Sequence, residues 1–460
     1  MEGTNTDRQT SGIRSREQLI EALTIAAELE HNLCCMYLFA AFSIKTRLEQ
    51  FDPAANSDAE AAARAEVRRE RSRNWRSTIL AVARQEMEHL AIVCNLLNAV
   101  GGPQHFRRPN FPQHKSYYAG LEHAEHGFNM TLERFGTATM ERFVRVEKPA
   151  NLSANDPGRY TGRDPAAHTD PEQLVAQPFE FSIDLVQTLY TAIKAGMEWL
   201  DSNLPGPLFI GSPDAQVEGP DIQIGFGNHE FGMTLNTVTN LAEARSAIDL
   251  VIEQGEGVLL NDEPGPIRRD SHYARFMEVA DEIAVIEWDP AHEVVPNPAL
   301  FLFPETRANV DEVTIVTHPD TRKVMELFDA SYQVMISLLT RFFGHGDDTE
   351  AERHVLLRTA FFPLMTLVIR PVGEILCEMP AFADDPDGPR AGPGFGFSSD
   401  LDFLPNRPAA WHYLAERLDA IADHAETTRD VWDGLAYVAD SIERVARNFR
   451  VGMLGTEEVR

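Results

Sequence analysis

Ile79-Leu80-Ala81-Val82-Ala83-Arg84-Gln85-Glu86-Met87-Glu88-His89-Leu90-Ala91-Ile92-Val93 is the stretch whose reading decides the fold. Apolar residues recur every three or four positions, so it is a helix, and Ile79, Ala83, Leu90, Val93 and Leu97 form its inward stripe. Glu86 lies inside that stripe, and His89 is one turn on, on nearly the same side. A buried carboxylate costs several kcal/mol unless it is paired or bound to a cation. A Glu-x-x-His pair facing the core of a helical bundle resolves the cost by gripping a divalent metal.

Upstream, residues 15–50 form a second helical pattern, and Glu30 interrupts its face of Leu23, Ala27, Cys34, Tyr37 and Ala41. Two acids inside the apolar stripes of consecutive long helices suggest half of a dinuclear carboxylate site. The polar link Asp52–Ala61 is short enough for an antiparallel pair, and Gly101-Gly102-Pro103 ends the second helix. Glu28 and His31 repeat the Glu-x-x-His spacing on another face and read as surface residues. Cys34 and Cys35 read as core, and Tyr37 as packing close to Glu30.

Downstream, helices are predicted over 132–147, 181–203 and 241–255, restarting near Ser271-His272. Further helices are expected over 322–343, 350–378 (kinked at Pro363 and Pro371) and 409–448. The fourth long helix ends in Glu253-Gln254-Gly255-Glu256-Gly257. Acids at a helix C-terminus oppose its dipole and call for a cation. A metal, with His272 from the next helix, would meet that need; Arg268 or Arg269 is the plainer alternative. Glu122-His123-Ala124-Glu125-His126 has metal-like composition but falls in a predicted loop. The chain shows no strand alternation of any length, no repeat, no P-loop and no GxGxxG. The fold class is all-α.

The 460 residues carry 41 Lys+Arg against 71 Asp+Glu, a net charge of −30. That balance argues against nucleic acid and against anionic lipid. Hydrophobic residues at 43% and charged ones at 24% are ordinary globular usage. The longest apolar runs, 33–42 and 359–369, fall short of the roughly 18–20 residues that a membrane span needs. The polar start of the chain suggests a disordered tail over 1–14 with no signal peptide. Four cysteines without CxxC spacing suit a reducing compartment, so a cytoplasmic location is expected.

Several strings resemble the ferritin-like family of the iminophenylpyruvate dimer synthase of violacein biosynthesis. They are Glu28-Leu-Glu-His31 with Tyr37-Leu38, Gln85-Glu-Met-Glu-His-Leu90 running to Gly102, and Glu253-Gln-Gly-Glu-Gly257 with Ser271-His-Tyr-Ala-Arg-Phe276. Weaker similarity continues through Arg142-Phe-Val-Arg-Val-Glu-Lys-Pro149, Leu189-Tyr-Thr-Ala-Ile193, Phe328-Asp329 and Ala391-Gly-Pro393. The resemblance implies a ferritin-like four-helix bundle over 15–300, with long loops, and a C-terminal helical extension over 301–460 packed on it. It implies two metal ions, iron before manganese, with Glu30, Glu86, His89, Glu253 and His272 as ligands and Glu256 as a sixth candidate. Relatives place an acid near the Leu-Tyr-x-x-Ile string, where this chain has Thr188 and Thr191; Asp184 is the nearest substitute. The expected activity is a non-haem, dioxygen-using oxidoreductase acting on an amino-acid-derived or aromatic small molecule, compatible with a homo-oligomer. Metal handling of the ferroxidase type, or a helical binding protein with a partly lost site, are the alternatives.

Overall fold

A computed structural model describes residues 12–113, 130–149, 175–177, 180–181, 186–219, 235–257, 268–303, 311–344, 346–397 and 406–457. Helix α1 (Arg16–Ser43) opens on Ser15, whose hydroxyl accepts from the Gln18 amide while the Gln18 side chain returns the bond, a reciprocal cap fixed by the sequence. After the short helix Leu48–Phe51 and a 3-10 turn, Asp58 caps α2 (Ala59–Ala99), the longest helix. Arg16, at the start of α1, donates to the Val100 carbonyl beyond the end of α2 (2.6 Å), so the two helices run antiparallel.

Helix α3 (Thr137–Val146) is short and ends at Glu147. Helices α4 (Val186–Asn203) and α5 (Leu241–Gly255) pack on each other, α4 also on α1 and α5 on α2, which completes a four-helix bundle. Helix α6 (His272–Ile283) starts from the Ser271 cap and lies against α3. Among the described residues, strands are confined to two short pairs, Val175–Gln177 with Glu180–Phe181 and Pro298–Ala299 with Thr314–Ile315.

The C-terminal helices cover the outer face of the α1–α2 pair. Helix α7 (Pro319–Phe343) reaches α1 through a Tyr332–His31 hydrogen bond of 2.6 Å. The next helix, α8 (350–376), contains two π-helical turns, Leu356–Phe361 and Met365–Ile369, around the expected kink at Pro363. The predicted single helix over 409–448 is instead a hairpin of α9 (Arg407–Thr428) and α10 (Leu435–Glu457). Gly434, at φ +88, takes the left-handed backbone that breaks it, and the Trp411 and Phe449 rings stack 5.0 Å apart across the pair. One apolar core runs through both layers, from Leu19 to Phe449. No helix among the described residues is long and apolar enough to cross a membrane.

Gly373 on α8 lies at a close contact between the layers. A Cβ there would sit 2.7 Å from the buried Phe42 ring of α1 and 3.2 Å from Phe328 of α7. Both rings are buried, so Gly373→Ala is expected to cost about 1–3 kcal/mol in chemical denaturation. An unchanged midpoint would mean that the layers do not meet at this point.

Candidate metal centre

Two bundle helices and the two shorter helices packed beside them bring ionisable side chains inward. Glu30 comes from α1 and Glu86 and His89 from α2; Glu147 comes from the end of α3 and His272 from the first turn of α6. All five are at most 2% exposed. Their ligand atoms make two trios within 4.8 Å, Glu30–Glu86–His89 and Glu86–Glu147–His272. Glu86 belongs to both. Its Oε2 lies 3.0 Å from His89 Nδ1 and its Oε1 lies 3.0 Å from His272 Nδ1, so one carboxylate spans two imidazoles. The terminal acids complete the pattern: Glu30 Oε2 is 3.5 Å from His89 Nδ1 and Glu147 Oε2 is 3.7 Å from His272 Nδ1. The two rings stack 5.3 Å apart.

Neighbouring groups orient this set. His89 Nε2 lies 2.9 Å from the Gln254 amide oxygen, which can only accept; Nε2 therefore carries a proton and Nδ1 faces the carboxylates. Tyr190 donates to Glu30 Oε1, and Tyr37 donates to Glu147 Oε1. Each terminal carboxylate thus has one oxygen tied to a buried phenol and the other turned toward an imidazole. Loss of such an orienting bond typically weakens metal binding 10–100-fold. Tyr190→Phe and Tyr37→Phe should each lower metal affinity by about that factor in calorimetric titration, without unfolding the chain; unchanged affinity in both would remove the orienting role.

The residues fit a metal ion at either trio. Glu30 Oε2, Glu86 Oε1 and both nitrogens of His272 are buried without a hydrogen bond, even though Glu86 Oε1 and His272 Nδ1 are only 3.0 Å apart. Buried polar atoms left this way call for an unseen partner. The space they share is about 10 Å³, room for an ion but not for an organic molecule.

Without a cation the site must hold protons instead. Burial and the charge of Glu86 raise Glu30 to about 8. Burial and the same charge raise Glu147. Burial works against a charged His272, but Glu86 and Glu147 outweigh it and lift the imidazole to about 9. Both groups are raised above their ordinary range, so the metal-free fold loses stability as pH rises from about 4.5 through 8 for Glu30 and from about 6.5 through 9 for His272. A metal competes for the same atoms. Metal loading at pH 7 should therefore release at least one proton per chain, and binding should tighten up to about pH 9. Titration calorimetry in buffers of differing ionisation enthalpy measures the release; a buffer-independent heat would contradict it.

Of the residues expected from sequence, Glu30, Glu86, His89 and His272 meet here, and Glu256, 2% exposed, lines the same space. Glu253 does not join them. It lies on the outer side of α5, 37% exposed, where Arg268 holds its carboxylate at 3.0 Å. The cation that answers its charge is the arginine, the plainer of the two expected alternatives. Glu147, absent from the expected ligands, ends the short helix α3 and belongs to the second trio. Thr191 is half-buried in α4; Asp184 and the Glu122–His126 string lie outside the described residues. His31 is buried, not at the surface, and Glu28 pairs with His105 at 3.2 Å. Cys34 and Cys35 are buried free thiols.

Two curated proteins are similar to the chain over nearly all of it. Dichlorochromopyrrolate synthase of Lentzea aerocolonigenes is 28% identical across 94% of this chain and 41% of its own length. The 2-imino-3-(indol-3-yl)propanoate dimerase of Chromobacterium violaceum is 25% identical across 97% of this chain and 40% of its own. The chain spans about two fifths of the length of these relatives. A solved ferritin-like protein from Caulobacter vibrioides aligns with 84% of this chain and all of its own, at 15% identity and a TM-score of 0.48. Residues 23–281, more than half of the sequence, match the Ferritin-like family, and the chain belongs to that family.

Proposed function

We propose that the chain is a dinuclear non-haem iron oxidoreductase that uses dioxygen on an amino-acid-derived or aromatic small molecule. The observation that carries this reading is the Glu86 carboxylate, which offers one oxygen toward each of two imidazoles at 3.0 Å. Hard carboxylate and borderline imidazole donors suit iron or manganese and disfavour thiophilic ions. Two iron ions held by Glu30, Glu86, His89, Glu147 and His272 would supply a two-electron redox couple.

The protein's own groups set the conditions for that chemistry. Four buried carboxylates, counting Glu256, neutralise added positive charge where water is scarce. Tyr37 and Tyr190 hold phenolic protons on Glu147 Oε1 and Glu30 Oε1, which fixes the open oxygen of each acid. The small free space keeps an organic substrate outside the carboxylate cage, so it would react from the rim. The names of the relatives, one for dichlorochromopyrrolate and one for an indole-bearing imino acid, support an aromatic substrate derived from an amino acid.

Anaerobic loading with ferrous iron tests the reading directly. Two irons per chain are expected for the wild type, close to none for Glu86→Ala, and one for Glu147→Gln. Oxygen uptake should then require an organic co-substrate. Undiminished iron in Glu86→Ala would end the proposal, and uptake independent of any organic molecule would replace it with metal handling.

A further inference from the structure

A second cavity lies on the opposite face of the α1–α2 pair, between it and the C-terminal helices. It measures about 80 Å³, room for on the order of six non-hydrogen atoms. Met87 and Ala91 of α2, Met335 and Phe343 of α7, and Leu357 and Met365 of α8 supply much of its wall. Thioethers and aromatic rings adapt to a flat apolar guest.

His31, Cys35 and Tyr332 form its polar edge, and each is satisfied within the protein. His31 Nδ1 lies 2.8 Å from the Phe106 carbonyl, which only accepts, so Nδ1 carries the proton and Nε2 a lone pair. The Tyr332 hydroxyl therefore donates to Nε2 at 2.6 Å, and its oxygen faces Cys35 Sγ at 3.4 Å. An occupant would find no free strong donor or acceptor at this edge, and a cavity of that kind stays dry and takes apolar molecules.

The backbone gives an independent sign. Both π-helical turns of α8 contribute to the wall, Leu357 from the first and Met365 and Ile369 from the second. Such turns are rare and concentrate at functional sites. Here they sit along one side of an unfilled space that ordinary helical packing would close.

We propose that this cavity is a binding site for a nonpolar molecule of about one aromatic ring, without hydrogen-bonding groups. The site is independent of the metal reading, because none of the cluster's carboxylates lines it. It is nevertheless close: Cys34 in its wall is one turn along α1 from Glu30, and Leu90 one turn along α2 from Glu86.

Thermal melting of the full chain with toluene, and with phenol at the same concentration, tests the assignment. Toluene should raise the Tm by on the order of 2 °C. Phenol, whose hydroxyl finds no partner, should bind at least 10-fold more weakly. Ala91→Phe fills the space and should abolish the toluene response, with Leu357→Phe as the filling variant from the opposite wall. Xenon, followed by its NMR shift in the unmodified chain, needs no variant and should report the same site. No toluene or xenon response in the wild type, phenol binding as tight as toluene, or an undiminished response in a folded filled variant would overturn the proposal.

Discussion

A carboxylate buried between two imidazoles, with other acids closing in from either side, is the constraint that the bundle is arranged around. Glu86 alone in an apolar stripe would cost several kcal/mol. Four helices and two phenols surround it with partners and make the cluster a candidate metal site. The two halves are near-copies in composition: a terminal acid, an imidazole and a tyrosine, with Glu86 common to both. Neither half is complete without the shared carboxylate. The geometry of α2 therefore sets the spacing of the whole centre.

The second dependency is on burial from outside. The α1–α2 pair is covered on one face by α4 and α5 and on the other by α7 and α8. Every residue from Leu29 to Tyr37 is consequently buried. Rigid, water-poor surroundings keep the carboxylates responsive to each other and to a cation. The cavity behind the pair is the price of joining two layers whose side chains do not fully interlock.

The long helices, the α5 terminus and the Ser271 start of α6 were legible because periodicity and capping are local signals. Glu30 and Glu86 stood out in the sequence because each interrupts an apolar stripe, His89 because it lies one turn from Glu86, and His272 because it opens the helix that follows the Glu253–Gly257 terminus. Glu147 did not: an acid beside Lys148 at the end of a ten-residue helix looks like solvated surface until α6 is known to cover it. Glu253 misled for the converse reason, since its i,i+3 spacing to Glu256 imitates a ligand pair while Arg268 answers its charge. His31 was misplaced because reasoning from one inward stripe fails on a helix buried all round. The break at Gly434 hides in a stretch whose flanking periodicities happen to match.

The order in which the cluster's residues leave the ribosome differs between its halves. Glu30, Glu86 and His89 all belong to the first helical hairpin, joined by the short link between α1 and α2. Glu147 and His272 follow much later and meet only after long-range closure, which is slow relative to hairpin pairing. During synthesis the hairpin thus presents three candidate metal ligands before anything exists to bury them. A cation captured at that stage would template the docking of the remaining helices, and the chain's assembly would be tied to the metal supply of the cell that makes it.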